Sequence, residues 1–248
     1  MKKKIKELFK YRKLPKILKY VPKNARKTLL KRLIALQISI YNLDQYLEEN
    51  WNLKDKKLKV YWEDIYSKMM EFGYDSGKIF AMTSHIRRYQ LHETQLRDKL
   101  SPTRLNKQYY YHYKSCDVRL IRHIIKDHVP QFNNDSVDDW RCFDLITEIN
   151  DDVTDVFEDQ HTINGNLFLI TILENNLDYA ENTFIELIDN ILKNKSFTNK
   201  SDNKDLQAKI FKWTLKEAEL TKNLIRENCK IISQQKEPLK TKLRNLKK

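Results

Sequence analysis

The densest chemistry in the chain lies in Glu148-Ile149-Asn150-Asp151-Asp152-Val153-Thr154-Asp155-Val156-Phe157-Glu158-Asp159. Asp151, Asp152 and Asp155 spell D-D-x-x-D, with Asp144 and Glu148 upstream and Asp159 downstream. At about 100° per residue, a helix puts Asp144, Glu148, Asp151, Asp155 and Glu158 on one face. Ile146, Ile149, Val153 and Val156 fall on the other. Aligned carboxylates repel one another unless cations stand in front of them. Salt and water do this on a solvated face. Hydrated Mg²⁺ does it in a cavity, taking one or two carboxylates and completing its shell with waters and substrate phosphates. The residues alone suit either setting.

A second, sparser line is Gln37, Tyr41, Asp44 and Glu48, at helical spacing. It runs along a segment expected to be helical from an Asn24 cap to about Asn50, apolar nearly all round between Leu33 and Leu43 and therefore central. Charges on a buried helix need partners. Either a metal-lined cavity supplies them, or Asp44 and Glu48 lie where the helix emerges into water. His85, Arg88 and His92 also share a face, a pattern more common for surface or hydrogen-bonded core positions than for a site. No H-E-x-x-H, G-x-S-x-G, P-loop or Glu-x-x-His pattern occurs.

The elements that must position these groups read as all-α. Three Gly and five Pro are too few for a turn-rich β protein. Two short helices within 3–21, broken at Pro15, precede the 24–50 helix; further helices are expected at about 56–72, 75–100, 103–128, 137–160, 163–194 and 203–235. Pro102 and Pro130 separate three of them, Asp202 caps the last, and the polar stretch 194–204 is a loop. The expected architecture is a single-domain bundle of about eight helices spanning 23–235, with a basic amphipathic segment at 1–22 and a basic tail at 236–248.

The net charge of +13 is concentrated at the ends: residues 1–39 carry fourteen Lys or Arg against one Glu, and the body from 40 to 235 is net −5. Nucleic-acid binding is therefore not favoured, because it calls for a basic face on the folded body. The basic amphipathic residues 1–21 suit peripheral contact with an anionic membrane surface, or simple packing on the body. No run of 18 apolar residues and no signal-peptide pattern occurs, and the three scattered cysteines suit reduced thiols, so a cytoplasmic protein is expected.

Asp-rich motifs on two helices of an all-helical chain resemble the class I isoprenoid synthases: trans-prenyl diphosphate synthases, squalene and phytoene synthases, and class I terpene synthases. The second Asp-rich motif of the prenyl synthases, like Q-x-x-D-D-x-x-D-x-x-x-D, is matched by Glu148-x-x-Asp151-Asp152-x-x-Asp155-x-x-x-Asp159, with Glu in place of Gln. Tyr109-Tyr110-Tyr111-His112-Tyr113-Lys114-Ser115 looks like the family's K-T-A segment with its preceding aromatics. Asp44-x-x-x-Glu48 is closest to the D-x-x-x-D form of squalene-type and some bacterial terpene synthases. Asn150, Thr154 and Glu158 also align with the terpene-cyclase N-S-E triad, although Asp152 stands where that motif is aliphatic. The family's Gly-Lys after the second motif is replaced by Asn164-Gly165-Asn166.

The resemblance implies a Mg²⁺-dependent terpene synthase that ionises a prenyl diphosphate to a carbocation and releases diphosphate. Asp44, Glu48, Asp151, Asp152 and Asp155 would bind metal. Lys114, Arg119 and Arg122 would stabilise charge on the departing diphosphate. Tyr41, Tyr110, Ser115 and Phe157 would contact substrate. A chain-elongating or head-to-head prenyltransferase is the alternative within the family. A non-enzymatic helical protein binding anionic lipid or nucleic acid through its basic ends is the alternative outside it.

Overall fold

A computed structural model describes residues 1–98, 100–129, 138–193 and 204–240. Among these, the regular structure is helix throughout: α1 (Lys2–Tyr11), α2 (Leu14–Leu18), α3 (Lys23–Glu49), α4 (Asp55–Met70), α5 (Ser76–Arg97), α6 (Lys107–Lys114), α7 (Cys116–Asp127), α8 (Arg141–Thr154), α9 (Leu167–Glu174), α10 (Leu177–Lys193) and α11 (Lys204–Ser233). Three short 3₁₀ turns precede α6, α8 and α9. The all-α class stands, with eleven helices instead of about eight. Pro130, Asp202, residues 194–203 and the tail beyond 240 lie outside the described residues.

The extra helices come from breaks within longer apolar patterns. The expected 103–128 helix divides at Ser115, and the expected 163–194 helix divides between Glu174 and Leu177. The 137–160 helix ends early, at Thr154, because outside donors take its last carbonyls: Asn166 Nδ2 bonds Asp152 O at 2.7 Å and Asn228 Nδ2 bonds Val153 O at 2.6 Å. The break after α1 comes at Lys13, which adopts a left-handed conformation (φ 59°), so Pro15 sits harmlessly in the first turn of α2. Asn24 is not the cap of α3; that place is taken by Pro22.

Two apolar clusters build the core. One joins α1, α2, α3, α4, α5 and α7 around Leu33, Leu36, Ile65 and Ile121. The other joins α6, α8, α9, α10 and α11 around Ile149, Phe168, Phe184 and Ile225. The basic N-terminal segment packs on the body: Ile5, Phe9, Leu14 and Ile17 are buried in the first cluster while its lysines face outward. In this arrangement its apolar face is spent on the protein, which leaves only charge for a membrane surface. Among the described residues, no helix is long and apolar enough to cross a membrane.

Gly165, in the loop after α8, is fixed by sterics. A Cβ there would overlap Tyr110 Oη and stand 2.7 Å from Glu93 Oε1, and it would displace the 2.6 Å bond that Tyr110 donates to Gly165 O. We expect Gly165→Ala to lose about 1–3 kcal/mol through overpacking, read from urea denaturation; an unchanged midpoint would show that the loop can move aside.

Candidate functional site

The C-terminal halves of α3 and α8 open onto one cavity of about 360 Å³, against the first apolar cluster. Asp44 and Glu48 line it from α3; Asp151 and Asp152 line it from α8; Asp155, Glu158 and Asp159 follow from the turns after α8. The line Gln37, Tyr41, Asp44 and Glu48 faces this cavity along its whole length. With Asp117 and Glu148, nine carboxylates meet only Lys4, Arg12 and Lys114, a formal charge of −6. Both helices present their C-terminal, partially negative ends here, and neither carries a basic residue in its last turn. The dipoles therefore add to the repulsion.

The surplus charge shows in the carboxyl groups. Burial, then the Glu48 and Glu93 charges, push Asp44 well above the ordinary carboxylate range. Burial, then Asp159, Asp151 and Glu158, push Asp155 up to about 6. Burial also raises Glu48 and Asp159, with Lys114 opposing. The side chains of Asp44, Asp155 and Glu158 have no hydrogen-bond or ion-pair partner among the described residues. Those at the edges are tethered: Asn164 Nδ2 bonds Asp159 Oδ1 at 2.8 Å and approaches Glu48 Oε1 at 3.4 Å, while Ile163 N bonds Glu48 O at 3.0 Å. One short loop thus holds the end of α3 against the end of α8.

The three aspartates of D-D-x-x-D do not behave alike. Asp152 is saturated: Tyr111 Oη and Leu167 N each donate to its Oδ2 at 2.7 Å, and Lys114 pairs with its Oδ1. It acts as an anchor for Lys114, whose charge reaches most carboxylates of the cavity. The remaining carboxylates of that face are Asp151, which pairs with Arg12, and Asp155, opposite Asp44-x-x-x-Glu48.

Arg12, between α1 and α2, is the cation the sequence reading missed. Its NH2 lies 2.8 Å from Glu148 Oε1 and 2.7 Å from Asp151 Oδ2, and its NH1 bonds Thr147 Oγ1. It is the only Arg among the lysines of residues 1–21, and a planar fork that holds Thr147 with one nitrogen and two carboxylates with the other is what Lys cannot supply. We expect Arg12→Lys to cost about 1–3 kcal/mol in thermal or urea unfolding, since at least one buried charged bond is lost. No change would mean that the N-terminal segment is held by its apolar contacts alone.

Other expected partners are placed elsewhere. Because the chain breaks at Ser115, Lys114 does not share a helix with Arg119 and Arg122. Arg122 points away from the cavity into a buried pair with Asp144, with Nε to Oδ2 3.0 Å and NH2 to Oδ1 2.6 Å. Arg119 donates to Ser115 Oγ at 3.2 Å and lines a different cavity. Ser115 is buried and bonds His112 O, Tyr110 forms the wall behind Lys114 through Gly165, and Phe157 packs on the second cluster. Of the expected substrate contacts only Tyr41 lines the cavity, where Lys4 Nζ bonds its Oη at 2.9 Å. The apolar lining comes from Ile40, Leu43 and Leu47 of α3 with Ile86 and Tyr89 of α5. His85 and His92 do not converge: His92 stacks among Tyr109, Tyr110 and Tyr113, while Arg88 is exposed.

Among the described residues, no three His, Cys, Asp or Glu side chains close into a ready-made metal cage. A hydrated divalent ion asks less of the protein than such a cage. Mg²⁺ keeps several waters and takes one or two carboxylates, completing its shell with phosphate oxygens. Asp44, Glu48, Asp151 and Asp155 are the residues that would hold it. No protein-family model, curated protein or solved structure matches the chain.

Proposed function

We propose that the protein is a Mg²⁺-dependent enzyme that ionises a prenyl diphosphate and releases diphosphate, in the manner of class I terpene synthases. One observation carries this reading. Two carboxylate rows more than a hundred residues apart in the chain line one cavity that also carries an apolar lining. A diphosphate ester of a hydrocarbon has the matching polarity. Its volume of about 360 Å³ falls within the roughly 300–1,000 Å³ of small-molecule sites and suits one substrate.

Bound divalent metal would neutralise the diphosphate oxygens and make that group a better leaving group. The chain's own residues do the rest. Asp44, Glu48, Asp151 and Asp155 set where the head group sits. Lys114, anchored by Asp152, and Arg12, anchored by Glu148, place fixed cations beside the developing negative charge. Ile40, Leu43, Leu47 and Ile86 keep water from the hydrocarbon, and the ring of Tyr89 offers a π face to positive charge on it.

The D-x-x-x-D register on both rows, with Asp152 withdrawn, favours a second reading within the same chemistry: the head-to-head transfer of squalene-type enzymes. Incubation with Mg²⁺ and geranyl, farnesyl or geranylgeranyl diphosphate, with and without isopentenyl diphosphate, separates the two. Diphosphate release with a terpene from one substrate molecule supports the first reading. A product joining two prenyl units supports the second. Folded protein that releases no diphosphate from any of them refutes both.

A further inference from the structure

A second cavity, of about 320 Å³, lies on the opposite side of α7, in the groove between α5 and α7. Cys116 lines both cavities, so a single helix separates an acidic compartment from a basic one. The groove is walled by Lys78 and His85 of α5 and by Arg119 and His123 of α7, with Met82 and Leu120 among its apolar lining. Its only carboxylate is Asp127, which already accepts from Lys78 Nζ at 2.8 Å and Tyr74 Oη at 2.9 Å.

Arg119 therefore forms no ion pair among the described residues, with Asp144 and Asp117 acting on it only from a distance. Its NH1 lies 3.1 Å from His112 Nε2, its NH2 bonds His112 O, and its Nε bonds Ser115 Oγ. A guanidinium only donates, so His112 Nε2 must be the acceptor and His112 is neutral. Of the five guanidinium N–H groups three are engaged, and one remains on each of NH1 and NH2. The His85 ring meets the His112 ring edge-on at 5.4 Å, adding a further basic group and no carboxylate. A partly buried cation whose neighbours are basic is costly unless an anion joins it.

We propose that the α5–α7 groove binds a phosphoryl group, with the unengaged N–H groups of Arg119 and the side chains of His85 and Lys78 as donors. Donors on two guanidinium nitrogens can serve two oxygens of one phosphate, which a halide does not offer. The apolar lining leaves room for a hydrocarbon attached to that group. The chemistry is common to free phosphate or diphosphate and to a prenyl phosphate. The site does not depend on the reading of the acidic cavity.

The test is calorimetric titration of the full chain in EDTA, which removes metal-bridged binding elsewhere, with inorganic phosphate, diphosphate and farnesyl monophosphate as probes. One saturable site is expected. It should weaken about tenfold in His85→Gln and further in Arg119→Gln, and be unchanged in Asp44→Asn, where tenfold corresponds to the loss of one good charged contact. Equal affinity for phosphate and farnesyl monophosphate would assign the site to a free anion. Clearly tighter farnesyl monophosphate binding would assign it to a prenyl phosphate. Either result stands with the proposal if the His85 ring resonances shift on binding. His85→Gln lies on a partly exposed helix face and keeps the test decisive should Arg119→Gln misfold. No saturable binding of any probe at millimolar concentration, or binding untouched by His85→Gln, overturns the proposal.

Discussion

Asp44→Asn is expected to give a protein that is more stable without metal and nearly inactive with it. The two effects share a cause. Asp44 lacks a hydrogen-bonded or ionic partner among the described residues, and burial together with Glu48 and Glu93 raises its pKa. An amide of the same shape removes the repulsion. The melting temperature of the metal-free protein should rise by a few degrees, since about 1 kcal/mol shifts a domain of this size by roughly 2–4 °C. Diphosphate release should fall about a thousandfold, because losing a metal carboxylate removes about 4 kcal/mol of leaving-group stabilisation.

The pH dependence carries the sign. A carboxyl whose pKa is higher in the folded state binds its proton more tightly there, so stability is greatest at low pH and falls as the group ionises. For Asp155 that fall occupies the interval between 3.8 and about 6. Metal-free protein should therefore lose stability as pH rises through this window. Mg²⁺ should restore more stability at pH 8 than at pH 5, and Asp155→Asn should flatten the slope. A stability that rises with pH across the window, or a destabilised Asp44→Asn, would mean that these carboxylates are satisfied in a way the geometry does not show.

The acidic rows were legible in the sequence because helical spacing alone puts Asp44 with Glu48 and Asp151 with Asp155. Their meeting was legible only as a resemblance, since nothing in a periodicity says which face of α3 looks at which face of α8. The Ile163–Asn166 loop settles that through bonds to the backbone of Glu48 and Asp152. Arg12 was hidden for another reason: a basic amphipathic segment reads as surface, and its one guanidinium among lysines was the sole sign of a buried pair. The cationic face was misjudged at Ser115. The break separates Lys114 from Arg119 and Arg122, which stay on α7, where Asp144 claims Arg122 and Arg119 lines the α5–α7 groove. Asp144 shares the periodicity of the acidic face yet leaves the cavity, because a buried partner on α7 claims it.

Arg122→Met is expected to be the most destabilising single change in the protein. Arg122 and Asp144 are each about 1% exposed and joined by two bonds, with the guanidinium 3.8 Å above the ring of Trp140. Removing the cation leaves a buried carboxylate with no counter-charge, a loss of about 3–5 kcal/mol from a total stability of about 5–15 kcal/mol. Arg122 NH2 also donates to Arg12 O at 2.9 Å, so the variant should loosen the N-terminal segment and expose Arg12 to proteolysis. Replacing both partners by apolar residues, Arg122→Met with Asp144→Leu, should recover most of the stability, because the cost of burying the pair disappears with it. Urea unfolding of the four proteins of this cycle measures the coupling directly. The double variant also decides what Arg122 does. A residue that only braces α7 against α8 allows diphosphate release to return with stability, whereas one that meets the leaving group leaves the refolded double variant inactive.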